Sequence, residues 1–165
     1  MGSVAITVAG VLRKTVGGQP IQDGLDLYFG MATRSKIILL SDAENGEELD
    51  VWLRLEGMGE HTRVIYFPTI AETWSAEEVR VYQAHMAANG GHHISLVVES
   101  DPGCSAALFH AGYSVLTYSS PSYSVPQWRP DYQEKPSRWD DLSQQVTDEA
   151  LRRANDERRT DRANS

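Results

Sequence analysis

Short, continuously apolar runs alternate along this chain with longer segments of helical spacing. The first run, residues 4–12, is β-branched and ends in a glycine turn. Unbroken apolar character is typical of a strand buried on both faces of a parallel sheet. A loop with Lys14, Gly17 and Gly18 follows, then a helical pattern and a second apolar run at residues 36–42. This order predicts a right-handed βαβ unit.

Two helices are predicted around the second run. The first covers residues 20–33, with Pro20 in its first turn. Its apolar positions are Ile21, Leu25, Tyr28, Phe29 and Ala32. Asp42 is predicted to cap a second helix, which ends at Gly57. Its inward positions are Leu49, Trp52 and Leu53.

The same alternation continues to residue 118. Strands are predicted at residues 63–67, 94–99 and 114–118. Ser75 and Glu78 form a capping box that begins a third helix. The apolar stripe of that helix is Val79, Tyr82 and Met86. Asp101 is predicted to cap a fourth, short helix. Five strands alternating with four helices indicate an α/β fold with a doubly wound, five-stranded parallel sheet.

The end of the first strand resembles the haloacid dehalogenase (HAD-like) superfamily of phosphohydrolases. In that family the strand ends in D-x-D-G-[TV]-L, in which the first Asp is the nucleophile and the second is the general acid and base. Here the Gly-Val-Leu tail begins at Gly10, whereas Thr7 and Ala9 replace the two carboxylates. Ser41 matches the Ser or Thr of the second motif, which binds phosphate.

The resemblance also implies the strand order 5-4-1-2-3 and a fourth motif of acidic residues that hold Mg²⁺. Glu99 and Asp101 stand at the fourth motif, but no third-motif lysine follows the third strand. A threonine hydroxyl is a weak nucleophile without a base, and Ala9 cannot transfer a proton. The expectation is a vestigial pocket without catalytic residues, metal or cofactor; Mg²⁺ belongs only to the alternative reading as an active phosphohydrolase. The pocket residues are Thr7, Ala9, Gly10, Ser41, Glu99 and Asp101.

Other candidate residues have plain structural interpretations. Thr7 is equally consistent with an ordinary strand residue. The adjacent His92 and His93 point to opposite faces if they lie in a strand, so they do not share one ion easily. Cys104 fits the inner face of a short helix, and the glycines at 17 and 18 fit a hairpin or flap turn.

Composition excludes several classes of function. A formal net charge of −8 and a pI near 5.0 argue against nucleic-acid binding that relies on basic clusters. The single cysteine excludes an internal disulfide. No apolar run is long enough to span a bilayer, and no secretory signal is recognisable, so we expect a protein made in a cytoplasm, without membrane insertion.

The segment after residue 118 differs in composition from the α/β domain, residues 1–118. Residues 119–138 are rich in Ser, Pro and aromatics, which predicts an extended strap. Residues 139–165 are predicted to form a helix and tail, supported by the charge pairs Asp148–Arg152 and Glu149–Arg153. The strap packs either on its own domain or on a partner. The candidate interaction residues are Tyr123, Trp128, Arg129 and Trp139.

Two classes of function remain open. The patterns G-x-P-I, L-L-S-D and P-x-Y-x-x-P-x-W-R-P-D resemble small virion proteins of tailed phages of actinobacteria. This resemblance implies a non-catalytic assembly protein, such as a minor tail or connector protein, whose partners are other protein subunits. The alternative is a phosphohydrolase or phosphate-ligand binder with atypical active-site residues.

Overall fold

The structure is a computed structural model that describes residues 2–15, 18–118 and 146–152. The chain divides into two compact units, Met1–Tyr118 and Ser119–Ser165. The first unit contains the five strands and four α-helices named below.

The sheet of the first unit has five strands in the order β3-β2-β1-β4-β5, and every neighbouring pair is parallel. This result confirms both the predicted fold class and the predicted strand order, and the architecture is Rossmann-like and doubly wound. The strands are β1 (Ser3–Thr7), β2 (Lys36–Leu40), β3 (His61–Ile65), β4 (Ile94–Glu99) and β5 (Val115–Thr117).

Helices cover both faces of the sheet. Val4 and Ile6 of β1 pack in a core with Leu25, Tyr28 and other residues of the first two helices. Ala5 of β1 packs in a second core, on the side of the last two helices. All five residues of β1 are therefore buried, which explains its unbroken apolar pattern. The helices are α1 (Gln22–Ala32), α2 (Glu47–Leu55), α3 (Ala76–Asn89) and α4 (Pro102–His110), with a 3₁₀ turn at Thr69–Ala71.

The predicted starts of the first two helices are wrong. Pro20 lies before α1, in a bridge with Arg13, and Ile21 is the N-cap. Asp42 does not cap α2, which begins after Gly46, because the Asp42 carboxylate instead accepts a hydrogen bond from Arg80 at 3.0 Å. The helix therefore begins four residues later than predicted.

The inward faces of α1 and α2 were predicted only in part. Leu25 and Tyr28 are buried, whereas Phe29 is partly exposed. In α2, Leu49 and Leu53 are buried and Trp52 is half-buried. Gly57 follows α2 with a φ of 69°, as expected of a residue that ends a helix.

The capping box of α3 is confirmed, since the Ser75 hydroxyl accepts from Glu78 N and the Glu78 carboxylate accepts from Ser75 N. The predicted stripe is confirmed at Val79 and wrong at Tyr82 and Met86, which are only half-buried. The residues that the helix buries are Val79, Arg80, Gln83, Ala84 and Ala87. Two polar residues therefore face the sheet, which an apolar pattern cannot indicate.

The second unit contributes one described segment, the helical residues 146–152. Within it Arg152 pairs with Glu149 at 3.0 Å, three residues away. Several predictions fall outside the described residues. They are the strap, its boundary with the tail, the pair that involves Arg153, and the candidate interaction residues Tyr123, Trp128, Arg129 and Trp139. No helix in the described ranges is long and apolar enough to cross a membrane.

Candidate functional site

The chain leaves β1 through a hydrogen-bonded turn and a hairpin. The carbonyl of Val8 accepts hydrogen bonds from the backbone N–H groups of Leu12 and Arg13, both at 3.1 Å. Gly10 adopts a φ of 85°, a left-handed conformation that glycine permits without a steric penalty. The hairpin is closed by a hydrogen bond from Lys14 N to the Gln19 carbonyl, 2.7 Å long. Gly18 precedes Gln19 with a φ of 64°, whereas Gly17, the other glycine of the predicted turn, lies outside the described residues.

Arg13 ties the hairpin to α2. Its guanidinium forms two hydrogen bonds with the carboxylate of Glu48, at 2.7 and 3.0 Å. The same guanidinium lies 5.2 Å from the centre of the Trp52 ring. Bidentate ion pairing combined with a cation–π contact holds the hairpin near the carboxyl edge of the sheet.

Glu99 is the centre of the site. This last residue of β4 is fully buried, and its Oε1 accepts hydrogen bonds from the backbone N–H groups of Ser100 and Asp101, at 2.8 and 2.9 Å. Its Oε2 accepts a 2.9 Å hydrogen bond from the hydroxyl of Thr7, the last residue of β1. The ends of two neighbouring strands are thus joined through one carboxylate.

Arg80 brings a buried cation to this carboxylate from α3. Its side chain is almost completely buried, and its Nε lies 2.7 Å from Glu99 Oε2 as an ion pair. One terminal nitrogen donates to Asp42 Oδ1 at 3.0 Å, and the other donates to Gln83 Oε1 at 2.7 Å. All three guanidinium nitrogens therefore contact oxygen atoms of other side chains.

Gln83 connects this group to the ends of β2 and β3. Its Nε2 lies 2.7 Å from the carbonyl oxygen of Ser41, 3.3 Å from that of Ile65 and 3.1 Å from that of Tyr66. We refer to Thr7, Asp42, Arg80, Gln83 and Glu99 as the strand-end cluster. It links the carboxyl ends of four strands to α3.

The charge on Arg80 is maintained by its surroundings. Burial lowers the pKa of a cationic group, but the nearby carboxylates of Asp42 and Glu99 outweigh this effect and raise the pKa of Arg80 overall. The guanidinium therefore keeps its positive charge although it is buried.

The polar atoms of the other predicted pocket residues form hydrogen bonds with neighbouring loop and helix residues. The Ser41 hydroxyl accepts from Ala43 N at 3.0 Å, and Asp101 Oδ1 accepts from Cys104 N at 3.1 Å, which confirms the predicted cap of α4. The carbonyl of Ala9 accepts from the Ser100 hydroxyl at 3.3 Å. All six predicted residues thus lie at the carboxyl edge of the sheet, but only Thr7 and Glu99 belong to the cluster.

The residues that the sequence analysis missed are Asp42, Arg80 and Gln83. The sequence offered no third-motif lysine after β3, and in the structure an arginine from α3 brings the basic group to this edge instead. The available signal was the spacing of Arg80 and Gln83, which places both polar side chains beside Val79 and Ala87 on one helix face.

These residues do not fit Mg²⁺, the metal that the resemblance implies. Both oxygens of Glu99 are engaged by hydrogen-bond donors, and Oε2 also contacts the Arg80 guanidinium. Thr7 and Ala9 supply no carboxylate. Mg²⁺ requires oxygen ligands in near-octahedral geometry, and a guanidinium in direct contact with the main carboxylate repels a second cation.

The described histidines lie away from the cluster. His61 Nδ1 lies 3.2 Å from the Tyr28 hydroxyl, and His85 Nδ1 lies 2.6 Å from the Tyr113 hydroxyl. Within the described ranges, no three His, Cys, Asp or Glu residues are grouped as metal ligands. Cys104 is buried on the inner face of α4, as predicted.

Two surface grooves also lie away from the cluster. One, of about 430 Å³, is walled by a T-shaped pair of Trp74 and Tyr82 with ring centres 5.1 Å apart. The other, of about 480 Å³, lies near His92 and His93 at the start of β4. Neither groove is lined by a residue of the strand-end cluster.

Comparisons with known proteins support the fold only. No family model matches the sequence, and no curated protein is similar to it. A crystal structure of an uncharacterized protein from Corynebacterium glutamicum is similar, with a TM-score of 0.50 and 16% sequence identity. The similarity covers 73% of this chain and 86% of that chain. At this level of identity, the chain shares an α/β fold with that protein.

Proposed function

We propose that this chain is a non-catalytic assembly protein built on a degenerate HAD-like domain. The observation that carries the proposal is the strand-end cluster, in which protein side chains occupy the place where an α/β sheet usually binds its ligand. Arg80 contacts three side chains there and is 1% exposed. The carboxyl edge of the sheet therefore contributes to stability rather than to substrate binding.

The Thr7–Glu99 pair has the composition of a nucleophile and a base, yet its surroundings argue against that role. A general base needs a free lone pair and access to the reacting group. Glu99 accepts three hydrogen bonds, pairs with Arg80 and is 0% exposed. A proton transferred to Glu99 would break its ion pair inside the protein, which is energetically costly.

The assembly role is supported by sequence alone. The resemblance to phage virion proteins implies contacts with other subunits, and residues 119–138 carry aromatic side chains of the type that anchors interfaces. Within this proposal the chain is a virion component such as a minor tail or connector protein. The phosphohydrolase reading remains the alternative that the activity experiment addresses.

The activity experiment compares Mg²⁺-dependent hydrolysis of an aryl phosphate by the wild-type protein and by the Thr7→Val variant. Both are expected to show only the background rate, because no open nucleophile is available. Turnover by the wild-type protein that Thr7→Val abolishes would establish catalysis at this site and overturn the proposal.

The assembly experiment is detection of this chain by mass spectrometry in purified phage particles. Its presence at a fixed ratio to a major virion protein is the expected result. Its consistent absence from particles, while the protein is abundant in infected cells, would refute the virion role without affecting the conclusion on catalysis.

A further inference from the structure

We propose that the Arg80 guanidinium is the resident cation of the strand-end cluster, in the place of a divalent metal ion, and that removing it creates a metal-binding site. The inference rests on the proposed function in taking the pocket to be non-catalytic, and it goes further by assigning a role to the buried arginine. It also identifies the ligands of the latent site.

The cluster requires a cation for electrostatic reasons. Glu99 is fully buried and Asp42 is partly buried, and the two carboxylates extend from the ends of β4 and β2 on either side of β1. A buried carboxylate without a counter-charge is strongly destabilising, so Glu99, together with the nearby charge of Asp42, needs a positive charge beside it. Arg80 supplies that charge at 2.7 Å from Glu99 and 3.0 Å from Asp42.

Among the described residues, the guanidinium forms its hydrogen bonds and ion pairs with oxygen atoms. They are Glu99 Oε2 of β4, Asp42 Oδ1 of the loop after β2 and Gln83 Oε1 of α3. Carboxylate and amide oxygens are also the ligands that Mg²⁺ and Ca²⁺ take in proteins, with water completing the shell. The same three oxygens can therefore surround a hydrated metal ion once the guanidinium is gone.

Truncation of Arg80 to alanine would provide the necessary space. The substitution removes the guanidinium and most of its aliphatic stem from a position that is 1% exposed. It removes the cation that Glu99 and Asp42 share, beside the Thr7 hydroxyl, which already donates to Glu99. A small divalent cation with bound waters restores charge balance, whereas a monovalent salt acts only by weak screening.

The experiment measures thermal unfolding of the full chain in MgCl₂, in CaCl₂ and in NaCl of matched ionic strength. The Arg80→Ala variant is expected to show a saturable rise in transition temperature with MgCl₂ or CaCl₂ but not with NaCl. The wild-type protein and Arg34→Ala, which changes an exposed arginine, are expected to show no saturable rise.

A second variant tests the ligand assignment. Arg80→Ala combined with Glu99→Gln removes both buried charges, so it is expected to fold without metal and to lose the response to MgCl₂ and CaCl₂. If Arg80→Ala is unfolded in NaCl, the expected result is that a divalent cation restores a cooperative transition.

Two results would overturn the inference. One is a saturable response of the wild-type protein to MgCl₂, because the resident guanidinium should exclude the metal. The other is an Arg80→Ala variant that does not respond to either divalent cation, whether it is folded or unfolded in NaCl. These two results differ from the result that would refute the proposed function, which is hydrolysis of an aryl phosphate by the wild-type protein.

Discussion

Gln83 shows how a single neutral side chain can hold several strand ends together. It is fully buried, it accepts from Arg80, and its amide nitrogen faces three backbone carbonyls at the ends of β2 and β3. It thereby supplies a hydrogen-bond partner to several buried groups at once. A buried polar group that is fully satisfied stabilises a fold, whereas a partly satisfied one destabilises it.

Replacing Gln83 with leucine should therefore be costly although the two side chains have similar size. The carbonyls and the Arg80 donor lose this partner together, so we expect destabilisation of about 3 kcal/mol or more. The measurement is chemical denaturation of the purified protein. Gln22→Leu, at an exposed position of α1, is the matched control and should change stability by less than about 0.5 kcal/mol. Equal costs for the two variants would show that the contacts of Gln83 add nothing to stability.

His61 should make stability depend on pH. Burial lowers the pKa of His61 below its ordinary value of 6.5, an effect that Asp50 only partly opposes. The unfolded chain therefore binds more protons than the folded one as pH falls below 6.5. The stability that the neutral His61 ring contributes is present above pH 6.5. It is lost as the pH falls through 6.5, the pKa in the unfolded chain, towards the lower pKa of the folded protein.

The expected result is a smaller loss of stability on acidification in His61→Gln than in the wild-type protein. The free energy of unfolding is measured at about pH 7.5 and about pH 5.5 for both. His93→Gln, at an exposed histidine, should retain the wild-type difference. If His61→Gln and His93→Gln behave alike, His61 does not carry the pH dependence.

At the scale of elements, the contact between α1 and the turn after β1 depends on one glycine. Gly24 is buried in α1, and a Cβ atom at this position would overlap the carbonyl oxygen of Val11. The helix can approach the turn this closely only without a side chain. Gly30 lies on the same helix, and a Cβ atom there would meet no atom within 4 Å, so it serves as an internal control.

The two glycines should respond to alanine in opposite directions. Gly24→Ala should destabilise the protein by about 1–3 kcal/mol, because the backbone of Val11 must move. Gly30→Ala should stabilise it by about 0.5–1 kcal/mol, since alanine has the higher helix propensity. Thermal or denaturant unfolding of the two variants measures both. A Gly24→Ala protein as stable as Gly30→Ala would show that α1 and the turn are not in tight contact.

At the scale of the whole molecule, the unit Met1–Tyr118 contains the five strands, the four α-helices and both hydrophobic cores. A chain truncated after Tyr118 is therefore expected to be soluble and to unfold in one cooperative transition. If residues 119–165 carry the assembly role, the truncated chain should no longer enter its complex. Size-exclusion chromatography and thermal unfolding measure the two properties, and loss of the cooperative transition would show that the domain needs the removed segment.

Local patterns in the sequence were sufficient for the strands and the fold class. The apolar runs predicted the strands because a central parallel strand buries both faces. The strand order was implied by the family resemblance rather than by the pattern, and it was also correct. The capping box at Ser75 and Glu78 and the cap at Asp101 depend on contacts between residues three positions apart. They were therefore predictable from the local sequence. The predicted pocket residues did reach the same edge of the sheet, since parallel strands end there.

Only the tertiary structure decided how that edge is used. Arg80 contacts Asp42, 38 residues away, and also Glu99 of β4, because α3 packs against β2, β3 and β4. In the sequence, Asp42 resembles a helix cap and Arg80 resembles a surface residue, since arginine is seldom fully buried without a partner. Its partners become apparent only when the sheet brings β1, β2 and β4 together. The sequence determined where a pocket would form, and the packing of α3 on the sheet determined that an arginine fills it.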